Sequence, residues 1–117
     1  MITLYGIPNC DTVKKARAWL KERSIDHVFH DFKKQGVPEA ELGAWLKVVG
    51  WETLVNRKGT TWRKLTEMER NSVTDDASAR ALALTQASVI KRPVVQWDNG
   101  DISVGFDPVA WAKRLES

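Results

Sequence analysis

One cysteine, Cys10, follows the first apolar run of the chain, Ile2-Thr3-Leu4-Tyr5-Gly6-Ile7-Pro8-Asn9, and precedes a periodic segment that starts at Thr12. A thiol at a strand-to-helix junction sits near unpaired backbone N–H groups and the positive end of the helix dipole, which favour thiolate over thiol. The chemistry open to such a group is nucleophilic attack, and the site should make it more acidic than an ordinary cysteine. With a single cysteine no internal disulfide forms. His27 and His30, the only histidines, provide no Cys/His cluster with metal-ligand spacing. A lone cysteine is more often a small buried apolar residue than a nucleophile, so the junction itself carries the nucleophile reading.

The other chemistry-bearing residues are cations. Net charge is +3 from 18 basic and 15 acidic residues, and residues 57–70 alone hold Arg57, Lys58, Arg63, Lys64 and Arg70 against Glu67 and Glu69, which is 5 − 2 = +3. Such a segment attracts anions of many kinds or forms a solvated helix face. It lacks a recognition-helix context, and the overall charge is a modest footprint, so direct nucleic-acid binding is not expected. The six tryptophans are dispersed along the chain and read as packing residues.

The elements that must position these groups alternate along 117 residues, enough for a single domain over 1–117 with its own core. Ile2–Tyr5 reads as a buried strand. Thr12–Arg23 reads as a helix with Val13, Ala16 and Leu20 inside and Lys14, Lys15, Lys21 and Glu22 in solvent, followed by a strand at His27–Phe32. Pro38 opens a helix whose Leu42, Trp45, Leu46 and Val49 face inward until Gly50 ends it. A loop over Leu54–Thr61 leads to a short helix near Trp62–Met68. Thr74 caps a further helix with Ala77, Ala81 and Leu84 as its inner stripe. Strands at Pro93–Trp97 and Ile102–Val104 flank Asp98-Asn99-Gly100-Asp101, where Asn99-Gly100 is a hairpin signal because both residues tolerate positive φ. Asp107-Pro108 starts a closing helix whose Val109, Trp111, Ala112 and Leu115 cover the sheet. No basic leader precedes a long apolar stretch, and no run approaches the roughly 18 apolar residues of a membrane span, so the expected location is the cytoplasm.

The order β-α-β, helices, β-β-α, with a cysteine after the first strand and a proline opening the third, resembles the thioredoxin fold. More narrowly, Tyr5-Gly6-Ile7-Pro8-Asn9-Cys10-Asp11-Thr12-Val13-Lys14-Lys15-Ala16, Asn56-Arg57-Lys58, Lys91-Arg92-Pro93-Val94-Val95 and Val104-Gly105-Phe106 resemble the arsenate reductase-related family. That family includes arsenate reductases, the Spx and MgsR regulators and the YffB-type proteins, and the likeness to the YffB type is the strongest. It implies an α/β thioredoxin-like fold with a four-stranded mixed sheet. The core would run over about 1–34 and 87–117, with a helical insert over about 35–86.

The resemblance also implies roles. Arg57 and Arg92 match arginines that hold the oxyanion in the arsenate reductases, and a guanidinium suits carboxylates and oxyanions because its planar fork binds them bidentately and stays charged. Pro93 implies a cis Arg92–Pro93 bond beside the thiol, where an extended substrate could pair with backbone. Lys14 reads as solvated. Two positions depart from the family pattern: Gly6 stands where the arsenate reductases carry a histidine, and their third arginine is missing near Gly105-Phe106. A third departure is Val13, which stands where the regulators carry a second cysteine. The expectation is therefore a monothiol reductase in which Cys10 attacks a disulfide substrate and glutathione, a co-substrate and not a bound cofactor, resolves the adduct. The alternatives are an arsenate reductase and a non-enzymatic regulator that contacts RNA polymerase.

Overall fold

The computed structural model describes residues 1–116. The chain divides into two compact units, one built from residues 1–31 with 92 onward and the other from residues 32–91. In the first unit, β1 (Ile2–Gly6) leads to α1 (Asp11–Glu22) and β2 (His27–Asp31). The chain returns to this unit as β3 (Val94–Gln96) and β4 (Ile102–Val104), and α8 (Pro108–Glu116) closes it. The sheet order is β2-β1-β3-β4, with β1 parallel to β2 and both other pairings antiparallel. This is the thioredoxin-like α/β arrangement.

Alternation along the strands decides which side chains meet α1 and α8. Ile2 and Leu4 on β1, with Val95 and Trp97 on and after β3, join Val13, Ala16, Trp19 and Leu20 of α1 and Trp111 of α8 in one buried cluster. Trp111 is its centre. Its ring meets Trp97 at 5.0 Å, Trp19 at 5.7 Å and Phe106 at 4.8 Å between centroids, each nearly edge-on. Such contacts add roughly 0.5–1.5 kcal/mol each beyond the area they bury. The opposite alternation sends Tyr5 to the other face, where its hydroxyl donates to Gln96 Oε1 at 2.9 Å and its ring lies 5.0 Å from His30.

The closing helix is capped as expected, Asp107 accepting from the N–H of Val109 and Ala110. Its inner face is narrower than the periodicity suggests: Trp111 and Ala112 pack inward while Val109 and Leu115 are exposed. The hairpin forms where expected, with β3 and β4 antiparallel on either side of it. Only Gly100 has positive φ (91°), with its N–H on Trp97 O at 2.9 Å and the Trp97 N–H on Asp101 O. Asn99 instead accepts from the Asp101 N–H through its side chain. The loop thus combines a type I turn with a left-handed glycine, a geometry that matches strand twist in a longer hairpin.

The second unit is helical: α2 (Phe32–Gln35), α3 (Glu39–Val49), α4 (Trp51–Leu54), α5 (Thr60–Lys64), α6 (Glu67–Asn71) and α7 (Asp76–Thr85). Phe32 opens α2 and is not part of a strand, and Pro38 caps α3 from outside it. The helix expected near Trp62–Met68 is two helices, because the N–H and side chain of Thr66 form a capping box with Glu69 and restart the chain. For the same reason α7 starts one residue later than expected. Asp75 and Ser78 form the box, and the face that packs inward carries Ala79 and Ala83 in place of Ala77 and Ala81. Among the described residues no helix is long and apolar enough to cross a membrane.

After α1 the chain turns through Ser24 at φ 56°, where its N–H bonds Lys21 O and that of Ile25 bonds Leu20 O. A Cβ in this left-handed region is unfavourable, while glycine adopts it freely at the cost of a more flexible unfolded chain. Ser24→Gly should therefore stabilise the protein, by up to about 1 kcal/mol, read as a raised urea midpoint at unchanged slope.

Candidate functional site

Cys10 is placed by a turn and a helix start. The Cys10 N–H donates to Ile7 O at 3.2 Å, closing a four-residue turn with Pro8 and Asn9 in its centre. The Lys14 N–H donates to Cys10 O at 2.9 Å, which makes Cys10 the N-cap of α1. The residue is half-buried, with one side against the apolar cluster under α1.

Burial opposes ionisation of Cys10 and is the largest influence on it. It is outweighed by the combined effect of the Val13 N–H, a hydrogen bond and charge from the Arg92 guanidinium, and the Thr12 N–H, so the thiol is more acidic than an ordinary cysteine. The neutral side chain makes no capping hydrogen bond; the helix N–H groups favour it once it is ionised. Arg92 comes from the segment entering β3, and the Arg92–Pro93 bond that follows is cis. Pro93 is buried, and its carbonyl accepts from the Gly105 N–H at 2.8 Å.

The structure thus brings Cys10 and Arg92 into contact, with Pro93 next in the chain. Arg57 belongs to the helical unit, where it lies 3.6 Å from Glu52 and 5.4 Å from the Trp51 ring centroid. Its turn is anchored by the Asn56 N–H on Val89 O and by Asn56 Oδ1 accepting from the Lys58 N–H. The participants that sequence reasoning did not name are main-chain groups, the N–H of Thr12 and Val13. Their signal was present in the N-cap position of Cys10.

Gly6 explains the close packing around the thiol. A Cβ built there would lie 2.8 Å from Val13 Cγ2, and Val13 is fully buried. The glycine on β1 and the valine on α1 therefore form one fitted contact.

The chain belongs to the ArsC family, whose sequence pattern matches residues 5–114. A solved structure of a YFFB protein is 46% identical and superposes with a TM-score of 0.90 over 97% of each chain. An arsenate reductase (ArsC) related protein from Brucella melitensis is 50% identical, with a TM-score of 0.76 over 99% of this chain and 95% of its own. The global transcriptional regulator Spx of Streptococcus pyogenes is 27% identical over 110 residues, 92% of this chain and 79% of its own.

Two predictions follow from this geometry. Alkylation of Cys10 against pH should show a midpoint below that of a free cysteine, and Arg92→Gln should move it upward because a hydrogen bond and a positive charge are lost from the thiolate. Gly6→Ala should destabilise by about 1–3 kcal/mol through overpacking, and Val13→Ala in the same chain should recover part of that loss. Denaturant titration of both single variants and the double variant measures the coupling.

Proposed function

We propose that this protein is a thiol-disulfide oxidoreductase that uses Cys10 as its only protein thiol and glutathione as the resolving partner. The observation that carries the reading is a half-buried thiol at a helix N-terminus, where the Val13 N–H, Arg92 and the Thr12 N–H together outweigh burial and lower its pKa. The Cys10 thiolate attacks a glutathione-bearing sulfur of a mixed disulfide, the new Cys10–glutathione bond forms, and the substrate leaves as a thiolate that takes a proton. A glutathione thiolate then attacks this adduct, releasing oxidised glutathione and Cys10 thiolate. The mixed disulfide is reduced to the substrate thiol, one free glutathione is consumed, and it leaves joined to the glutathione from the mixed disulfide as oxidised glutathione. Arg92 stabilises the thiolate as attacking and leaving group, and it is the cation beside the thiol offered to a glutathione carboxylate. Pro93 holds the segment that carries Arg92.

Arsenate is the less suitable substrate. Gly6 stands where the resemblance placed a histidine, and Val13 already fills the space of a side chain there.

Intact-mass measurement after incubation with oxidised glutathione should show one glutathione added, lost on adding reduced glutathione and absent from Cys10→Ser. A native protein that takes no adduct would overturn the reading.

The relationship to Spx supports a second reading, a regulator that contacts RNA polymerase. Polymerase capture by both the unaltered chain and Cys10→Ala, without disulfide turnover, would favour it.

A further inference from the structure

Lys14, Arg17 and Lys21 follow Cys10 by four, seven and eleven residues, intervals that a helix brings to one side. The acids of α1, Asp11 and Glu22, fall on the other edge of its exposed arc together with Lys15, so no carboxylate of this helix lies between the three cations. All three cations are exposed and line a groove of about 480 Å³ that runs along α1 to the turn before β2, where Ile25, Asp26 and His27 complete it. Arg17 is held there, its guanidinium 4.2 Å from the Phe29 ring centroid. Among the described residues none of the three cations is ion-paired. Asp26 is the only carboxylate among the described residues of the lining, so their formal charge is 3 − 1 = +2.

Three like charges on one helix side repel each other and gain no i,i+4 pairing, so the pattern does not stabilise the helix. It does complement an anionic ligand. From Cys10 to Lys21 the helix rises roughly 16 Å, a span that an extended segment of about five residues covers. A glutathione-sized ligand at the thiol would leave most of this length unused.

We infer that the groove binds an acidic segment of a protein substrate, the carboxylates beside the substrate's disulfide lying along Lys14, Arg17 and Lys21. The thiol step rests on the oxidoreductase reading, whereas binding in the groove is independent of it. Small cationic or neutral disulfides then lack this contact, and selectivity among protein substrates comes from their local charge.

The full chain carrying Cys10→Ser is titrated into two fluorescein-labelled hexapeptides, one rich in glutamate and one with glutamine in its place, and anisotropy is recorded. At about 0.02 M salt the acidic peptide should bind about tenfold tighter than its counterpart, and most of that advantage should vanish at about 0.3 M. Adding K14Q, R17Q and K21Q should abolish the preference. Adding K15Q, K33Q and K113Q, with the same change in net charge, should keep it. If the groove triple variant does not fold by circular dichroism, K14Q with K21Q should show a smaller loss in the same direction. Equal binding of the two peptides, or equal loss in both triple variants, overturns the proposal. Turnover of a neutral small disulfide by the unaltered protein reports separately on the oxidoreductase reading: turnover without peptide preference rejects the groove alone, and preference without turnover rejects the reductase alone.

Discussion

Because Gly6 carries no side chain, Val13 of α1 can occupy the space beside β1, and this close approach of helix to strand sets where Cys10 sits. The turn from Ile7 to Cys10 has room for only two intervening residues, and the first helical hydrogen bond starts from Cys10 itself. A larger residue at position 6 would lift the first turn of α1, carrying with it the N–H groups of Thr12 and Val13 that favour the thiolate. The geometry of the thiol is thus a consequence of strand-to-helix packing, and Val13, which removes any second thiol from this turn, is also the residue that fits the gap.

The rest of the first unit holds that contact in place. α1 is seated on the sheet by Ala16, Trp19 and Leu20, and the edge-on aromatic contacts of Trp111 link α1, the end of β3 and α8. The antiparallel pairing of β3 with β1 then brings the segment before Val94 to the end of β1 where α1 begins. Arg92 arrives at Cys10 from a distance of 82 residues in sequence because Tyr5 pairs with Val94. An arginine suits the position: its charge persists at any working pH, and burial of the thiol, which alone would favour the neutral form, is offset.

How much of this was legible in advance depended on whether a residue acts through local or distant partners. The strand at Ile2, the helix after Cys10, the turn containing Gly100 and the Asp107 cap are written in short-range patterns, and they appear within a residue or so of their expected places. The misreadings occur where two local signals compete. Around Thr66 and Asp75, capping boxes divided or shifted helices whose apolar spacing alone suggested other limits. Two short helices, α2 and α4, have too few residues to show a period at all. At the site, the cysteine and its place at a helix start could be read directly, whereas the pairing with Arg92 was suggested by family likeness.

The sequence by itself determined the single thiol, the absence of an internal dithiol, the element order and the cationic residues, since these depend on composition and on neighbours a few positions apart. Only the tertiary structure decided that Arg92 meets Cys10, that Gly6 and Val13 form one contact, and that Lys14, Arg17 and Lys21 border a groove with no carboxylate among the described residues paired to them. The physical reason is the range of the interactions. Caps and periodicity act within a turn of helix, but sheet pairing and helix packing are settled by which apolar faces bury together, and that choice brings distant charges and surfaces into register.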